Sequence, residues 1–211
     1  MNAQEERLKT GTTTVGVVCK DCVVMGADRR VTAGTFVAAK DYEKISPVAK
    51  HMVLTISGVV SDVQLVIKYL KAELRLKKIR SGRDATLKEA GNLLATWNYN
   101  LLRSQYSIGH FLLGGVDGKS RGIYDISPDG ALKLHDKFVA SGSGSVFSYG
   151  VLETEYKEGI GEEDGVKLVL RALNAALQRD AATGNGVDIY VITKDGARKA
   201  VSKEINTGIV A

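Results

Sequence analysis

No stretch of this 211-residue chain reaches the roughly 18 consecutive apolar residues that a membrane helix needs. Its first residues hold no hydrophobic segment of the signal-peptide kind. The expectation is a cytosolic protein with no membrane contact. Cysteine is scarce, with Cys19 and Cys22 the only two. Two thiolates with no histidine nearby cannot close a tetrahedral zinc site. Their C-x-x-C joins two strand-like runs through Lys20-Asp21 instead of opening a helix as a redox motif does, so it reads as residues flanking a hairpin turn. Histidine is equally sparse, and His51, His110 and His135 are scattered among strand edges with no carboxylate at ligand or triad spacing. That counts against a metal centre and against a Ser-His-Asp hydrolase. A phosphate loop is missing too. Gly114 to Ser120 ends in Gly-Lys-Ser, but Leu113 stands where the first glycine is required and a strand-like Gly122-Ile-Tyr-Asp-Ile126 follows. Gly142-Ser-Gly-Ser145 has Phe147 in place of the third glycine of a dinucleotide fingerprint. No cofactor and no metal are expected.

What is present suits one domain with a sizeable core: 44% apolar and 25% charged residues. The net charge of +5 permits nucleic-acid contact, but Lys and Arg are interspersed with Glu and Asp along most of the chain. The densest basic stretch, Arg75 to Arg83, falls at the end of a helical pattern, where cations meet bare carbonyls and the negative end of the dipole. A nucleic-acid partner is therefore not expected.

Val- and Ile-rich runs at 13–19, 22–27 and 52–57 read as strands. Ser61-Asp-Val-Gln64 spells a capping box ahead of Val63, Val66, Ile67, Leu70 and Leu74 at helical spacing. Thr86-Leu-Lys-Glu89 repeats it before a second helix that fades near Arg103. Strands return at 110–116, 121–126, 131–135 and 137–141, with a turn at Ser127-Pro-Asp-Gly130. Two more helices are expected at 145–157 and 163–182, the second closed by Gly184, then strands at 187–193 and 197–202. Sheet, two helices, sheet, two helices, sheet implies two mainly antiparallel sheets with helices on their outer faces.

Without an evident histidine base, a nucleophile needs another proton acceptor, and an N-terminal amine is one of the few alternatives. A mostly polar run ends at Gly11 where a β-like run, Thr12-Thr-Thr-Val-Gly-Val-Val-Cys19, begins. A free α-amine, with a pKa of about 7.7 to 8, can take the hydroxyl proton of its own threonine. At Thr12 that amine exists only after the Gly11–Thr12 bond is cut. Asp28 falls at the end of the strand that pairs back on the Thr12 strand, where its carboxylate can hold the Lys44 ammonium beside the hydroxyl. Taken alone, such a pair reads as ordinary surface charge. Beside Thr12, a fixed cation stabilises alkoxide character and lowers the pKa of the neighbouring amine.

The whole segment Thr12-Thr-Thr-Val-Gly-Val-Val-Cys-Lys-Asp-Cys-Val-Val-Met-Gly-Ala-Asp-Arg-Arg-Val-Thr32 resembles the start of a mature proteasome β subunit, most like the archaeal kind. Lys44-Ile45, Ile56-Ser-Gly58 with Ser61-Asp62, Gly142-Ser-Gly144 followed by Tyr149-Gly-Val-Leu-Glu153, and Gln178-Arg-Asp180 match in order, so the likeness covers residues 11 to 193. It implies an α+β fold of the N-terminal nucleophile hydrolase type, a four-layer α-β-β-α sandwich. Residues 1–11 would be a propeptide removed by autolysis and residues 12–211 the catalytic domain. Thr12 would be nucleophile and base, with Asp28 and Lys44 setting its proton affinity and the Gly58 N–H facing the oxyanion. Ser143, Asp180 and Thr183 would orient the terminus, Thr183 standing where the family usually has serine. Val31, Tyr42, Ser46, Ile56, Val60 and Gln64 match the primary specificity pocket; an uncharged wall favours cleavage after hydrophobic residues.

The same resemblance implies a threonine endopeptidase working with proteasome α subunits and other β subunits in stacked seven-membered rings. Unfolded protein would be threaded in by a separate ATPase unfoldase. The alternatives are a non-catalytic ring-building β subunit, which intact Gly11-Thr12, Asp28 and Lys44 argue against, and a basic nucleic-acid-binding module.

Overall fold

The computed structural model describes residues 11–103, 109–118 and 120–205. All but the last residue of the expected propeptide, residues 1–10, and Lys119 of the Gly-Lys-Ser run lie outside the described residues. The first sheet is built on a hairpin, β1 (Thr14–Val18) and β2 (Val23–Asp28), turned through Lys20-Asp21 with Cys19 N–H on Cys22 O at 2.9 Å. It is completed by β10 (Phe138–Ser141), β11 (Gly186–Thr193) and β12 (Gly196–Glu204) in the order β10-β1-β2-β11-β12. The second sheet runs in sequence order: β5 (Ile45–Ala49), β6 (Met52–Ser57), β7 (His110–Val116), β8 (Arg121–Ile126) and β9 (Leu132–His135). Every pairing in both is antiparallel. A small ribbon, β3 (Val31–Ala33) with β4 (Phe36–Ala39), stands apart.

Three apolar clusters lie at the three interfaces of a four-layer sandwich. Helices α1 (Val60–Ser81) and α2 (Leu87–Arg103) bury Val63, Leu70, Leu87 and Leu94 against Leu54, Ile56, Phe111 and Leu113 of the second sheet. Helices α3 (Ser145–Glu155) and α4 (Glu162–Arg179) bury Leu152, Leu168 and Leu173 against Val15, Val17 and Val24 of the first. Val23, Met25, Val53, Leu112 and Ile123 fill the space between the sheets. Successive strand residues face opposite sides, so a strand buried on both faces must be apolar at nearly every position, which is why these strands read as unbroken Val/Ile runs.

Several expectations need correction. No apolar run in the sequence marks strands β3, β4 and β5, because they are short, mixed in polarity and, in β5, interrupted by Pro47 and a register shift. Ser61 does not cap α1: the N-cap is Val59, no side chain bonds there, and Ser61 Oγ donates to Asp62 Oδ1 instead. The spelling at Thr86 does form a capping box, with Thr86 N–H on Glu89 Oε2 at 2.8 Å and Glu89 N–H on Thr86 Oγ1 at 3.2 Å. Helix α4 ends at Arg179 on an extended Asp180, not at Gly184. The two spellings, one forming a cap and one not, should respond differently to substitution. Thr86→Ala is expected to lower stability by about 1 kcal/mol, and Ser61→Ala to change it by less than about 0.5 kcal/mol, as read from urea denaturation midpoints.

Candidate active site

Strand β1 presents Thr12 and Thr13 just before its first paired residue, between the end of β2 on one side and the turn after β10 on the other. Asp28 closes β2 and is 1% exposed. Its Oδ1 accepts Thr13 N–H at 2.9 Å and Lys44 Nζ at 2.8 Å; its Oδ2 accepts the N–H groups of Arg30 and Gly184, both at 3.0 Å. A carboxyl surrounded only by donors is ionised, since a protonated acid would have to donate one of these contacts. Lys44, directly before β5, is 4% exposed and held to β6 by Ile56 N–H on its carbonyl at 3.0 Å. Burial pushes the Asp28 carboxyl up and the Lys44 ammonium down, and their contact opposes both trends. The donor set decides for the charged pair, with Lys44 less basic than an exposed lysine.

Lys44 Nζ also donates to Gly11 O at 3.0 Å, and Thr12 Oγ1 donates to the same oxygen at 2.7 Å. Gly11 N–H is held by Thr32 Oγ1 at 2.9 Å. Gly11 is pressed on Ala182, where an added Cβ would lie 1.7 Å from the alanine Cβ. On the other side of Thr12, its N–H donates to Ser143 Oγ at 3.2 Å. Ser143 Oγ–H passes on to Asp180 Oδ2 at 2.6 Å, which Thr183 Oγ1 also reaches at 2.5 Å. With the Thr183 proton committed to Asp180, Thr13 Oγ1 is the donor across the 2.6 Å contact to Thr183. Thr183 keeps its hydroxyl in the network, its added methyl buried at 1% exposure.

The structure thus brings Thr12, Asp28, Lys44, Ser143, Asp180 and Thr183 together from five stretches of chain. Gly58, at φ 146°, follows the end of β6 and lines one small cavity with Gly11, Thr12, Lys44, Val31, Tyr42, Ile56, Val60 and Val63. Two expected pocket residues lie outside that lining. Gln64 is exposed on α1, and Ser46 Oγ accepts Lys71 Nζ at 3.1 Å. Sequence reasoning missed Thr13, Thr32, Arg30 and Asn185. Arg30 Nε donates to Asn185 Oδ1 and Nη1 to Ala181 O, both at 2.8 Å, clamping the loop that carries Thr183 and Gly184. It did not foresee the spatial partners of His110. His110 Nε2 lies 2.5 Å from Asp125 Oδ1 and its Nδ1 2.8 Å from Ser141 Oγ, a set of three residues on three different strands that no linear spacing reveals.

A sequence model of the family described as "Proteasome subunit" matches residues 8–192. The chain is 38% identical over 202 residues to "Proteasome subunit beta" of Methanobrevibacter smithii, spanning 96% of this chain and 97% of that one. It is 40% identical over 198 residues to "Proteasome subunit beta" of Archaeoglobus fulgidus, at 92% and 91% coverage. With "Proteasome subunit beta 1" of Thermococcus kodakarensis it shares 40% identity over 205 residues, at 96% and 98% coverage.

The buried pair makes a stability prediction that does not depend on any activity. Asp28→Ala leaves the Lys44 ammonium buried without the carboxylate it is hydrogen-bonded to and is expected to cost about 3–5 kcal/mol. Adding Lys44→Met to Asp28→Ala should recover a large part of that loss in denaturant titrations.

Proposed function

This chain belongs to the proteasome subunit family, and we propose that it is a catalytic β subunit, a threonine endopeptidase that matures by cutting its own Gly11–Thr12 bond. One observation carries this reading: the Thr12 hydroxyl and the buried Lys44 cation converge on the Gly11 carbonyl oxygen, at 2.7 and 3.0 Å. In self-cleavage a bond forms between Thr12 Oγ1 and the Gly11 carbonyl carbon, and the Gly11–Thr12 amide breaks. The hydroxyl proton ends on the departing Thr12 nitrogen, and water then hydrolyses the ester. Lys44 stabilises the negative charge that develops on Gly11 O. The absence of a side chain at Gly11 is what lets the residue before the scissile bond pack against Ala182.

After release the Thr12 amine takes the proton from its own hydroxyl, the hydroxyl attacks a substrate carbonyl, and Gly58 N–H receives the oxyanion. Water activated by the same amine frees the acyl group. The uncharged Val31, Tyr42, Ile56 and Val60 favour an apolar side chain before the cut bond. In this reading the subunit works in the cytoplasm, in stacked seven-membered rings with α subunits and other β subunits, on unfolded protein delivered by an ATPase.

Intact-mass analysis after co-expression with α subunits tests the reading. The unsubstituted chain should lose residues 1–11, and Thr12→Ala should keep them and show no peptidase activity. Retention of residues 1–11 by the unsubstituted chain in assembled rings would instead favour a ring-building, non-catalytic subunit. Gly11→Ala should slow processing by about 10²-fold, the scale of a displacement near 1 Å at a reacting centre.

Peptide hydrolysis by the mature subunit should follow a bell-shaped pH profile. The amine must be unprotonated, so the rate rises with pH through a pKa that the adjacent cation holds below the usual value of about 7.7. Lys44 must stay protonated, and burial lowers its pKa, so the rate falls again at a pH below the roughly 10.4 of an ordinary lysine.

A further inference from the structure

The arrangement Ser141–His110–Asp125 has the residue types of a hydrolase triad, but Ser141 is 3% exposed at the end of β10. An acyl substrate has no route to an oxygen so enclosed, so the triad geometry must serve something other than nucleophilic attack. What lies next to it indicates what. Ser141 pairs in register with Thr14, two residues beyond Thr12. Gly142, at φ 89°, packs so tightly on the Thr12 carbonyl that a Cβ there would lie 2.1 Å from its oxygen. Ser143, the next residue, takes the Thr12 N–H. A shift at Ser141 is therefore transmitted to the group that holds the Thr12 nitrogen.

His110 is equally well placed from the other side. It opens β7 opposite Ser57, the residue before Gly58, so its backbone belongs to the second sheet while its ring reaches Ser141 of the first. Asp125 on β8 accepts from Nε2 and has His135 Nε2 of β9 at 3.8 Å from its other oxygen. Burial alone would raise the Asp125 carboxyl, but its 2.5 Å hydrogen bond with His110, with the His135 ring nearby, outweighs that and holds it below the ordinary carboxylate range. An ionised Asp125 can only accept, so Nε2 donates to it; in the tautomer with its single proton there, Nδ1 accepts and the Ser141 hydroxyl has one direction in which to donate.

We propose that Ser141, His110 and Asp125 form a hydrogen-bonded relay between the two sheets that positions Ser143, and through it the Thr12 nitrogen, making His110 and Asp125 positioning residues for the reaction at Thr12. The proposal rests on the catalytic reading given above. It acts on geometry and not on substrate contact, so it should appear in kcat and leave KM nearly alone.

The test uses rings assembled with α subunits and a fluorogenic peptide with an apolar residue before the cut bond. Ser141→Ala and His110→Leu are expected to lower kcat by about 10- to 100-fold with KM changed less than about twofold, in rings that assemble normally. Ser141→Thr, which keeps the hydroxyl, should stay within about threefold of the unsubstituted enzyme. Unchanged kcat in Ser141→Ala, or equal losses in Ser141→Ala and Ser141→Thr, overturns the relay. A second measurement separates this failure from failure of the catalytic reading: the ¹⁵N shifts of the His110 ring in the full chain. The Nε2–H tautomer with an Nδ1 signal that moves on Ser141→Ala supports the relay even in a chain that cleaves nothing. An Nδ1–H tautomer, or shifts indifferent to Ser141→Ala, overturns it whatever the peptidase does.

Discussion

A carboxylate and an ammonium, both almost wholly removed from water, meet at 2.8 Å where the two sheets come together beside Thr12. Desolvating each ion costs several kcal/mol, and their attraction alone does not reliably offset that. The remainder comes from the backbone: Thr13, Arg30 and Gly184 each aim an N–H at Asp28. Those three residues lie at the start of β1, after β2, and in the loop before β11. Satisfying one carboxylate therefore fixes the relative positions of the segments that carry Thr12 and Thr183, and removing it would free them all at once.

The pair also requires the sheets to approach closely, because Asp28 belongs to the first and Lys44 leads into the second. Small residues on the facing surfaces allow it. A Cβ at Gly114 would lie 2.0 Å from Met25 Sδ, and one at Gly16 would lie 2.6 Å from Ile123 Cδ1. These glycines serve packing, not backbone conformation, since neither has a positive φ. With the sheets set at that distance, Ile56 N–H anchors the Lys44 carbonyl and the side chain has only to reach across to Asp28 and Gly11. Interior packing thus determines where the cation stands relative to the Gly11 carbonyl.

The four-layer order was legible because both faces of most strands are buried, which writes Val15, Val17, Val24 and Val53 into the sequence as apolar runs. The placement of Asp28 at the end of β2, beside the residues that lead into β1, was legible too, because it follows from one local hairpin. Helix termini were less so. Thr86 and Ser61 carry the same spelling, yet α1 starts at Val60 and takes Ser61 inside the helix, so only Thr86 meets free N–H groups. Helix α4 stops short of Gly184 because Asp180 leaves the helix to receive Ser143 and Thr183, a tertiary demand that local propensity does not encode. The contacts of His110 were invisible for a related reason. They join β7, β8 and β10, drawn from both sheets, and exist only once every layer is in place.

On the proposed reading, the site must perform two reactions with one constellation, and the uncut chain shows how little has to move between them. Before cleavage the Thr12 nitrogen is an amide that donates to Ser143 Oγ; afterwards it is an amine that still has a proton to donate there. Ser143, Asp180, Thr183 and Thr13 already form one connected hydrogen-bond chain while the amine does not yet exist. Lys44 holds the Gly11 oxygen, and once residues 1–11 depart its remaining donors face the same Thr12 neighbourhood with Asp28 still in place. Because the dipoles and charges are fixed by the fold and not by the propeptide, neither step has to reorganise them as charge develops, and that is where most electrostatic stabilisation of a transition state originates.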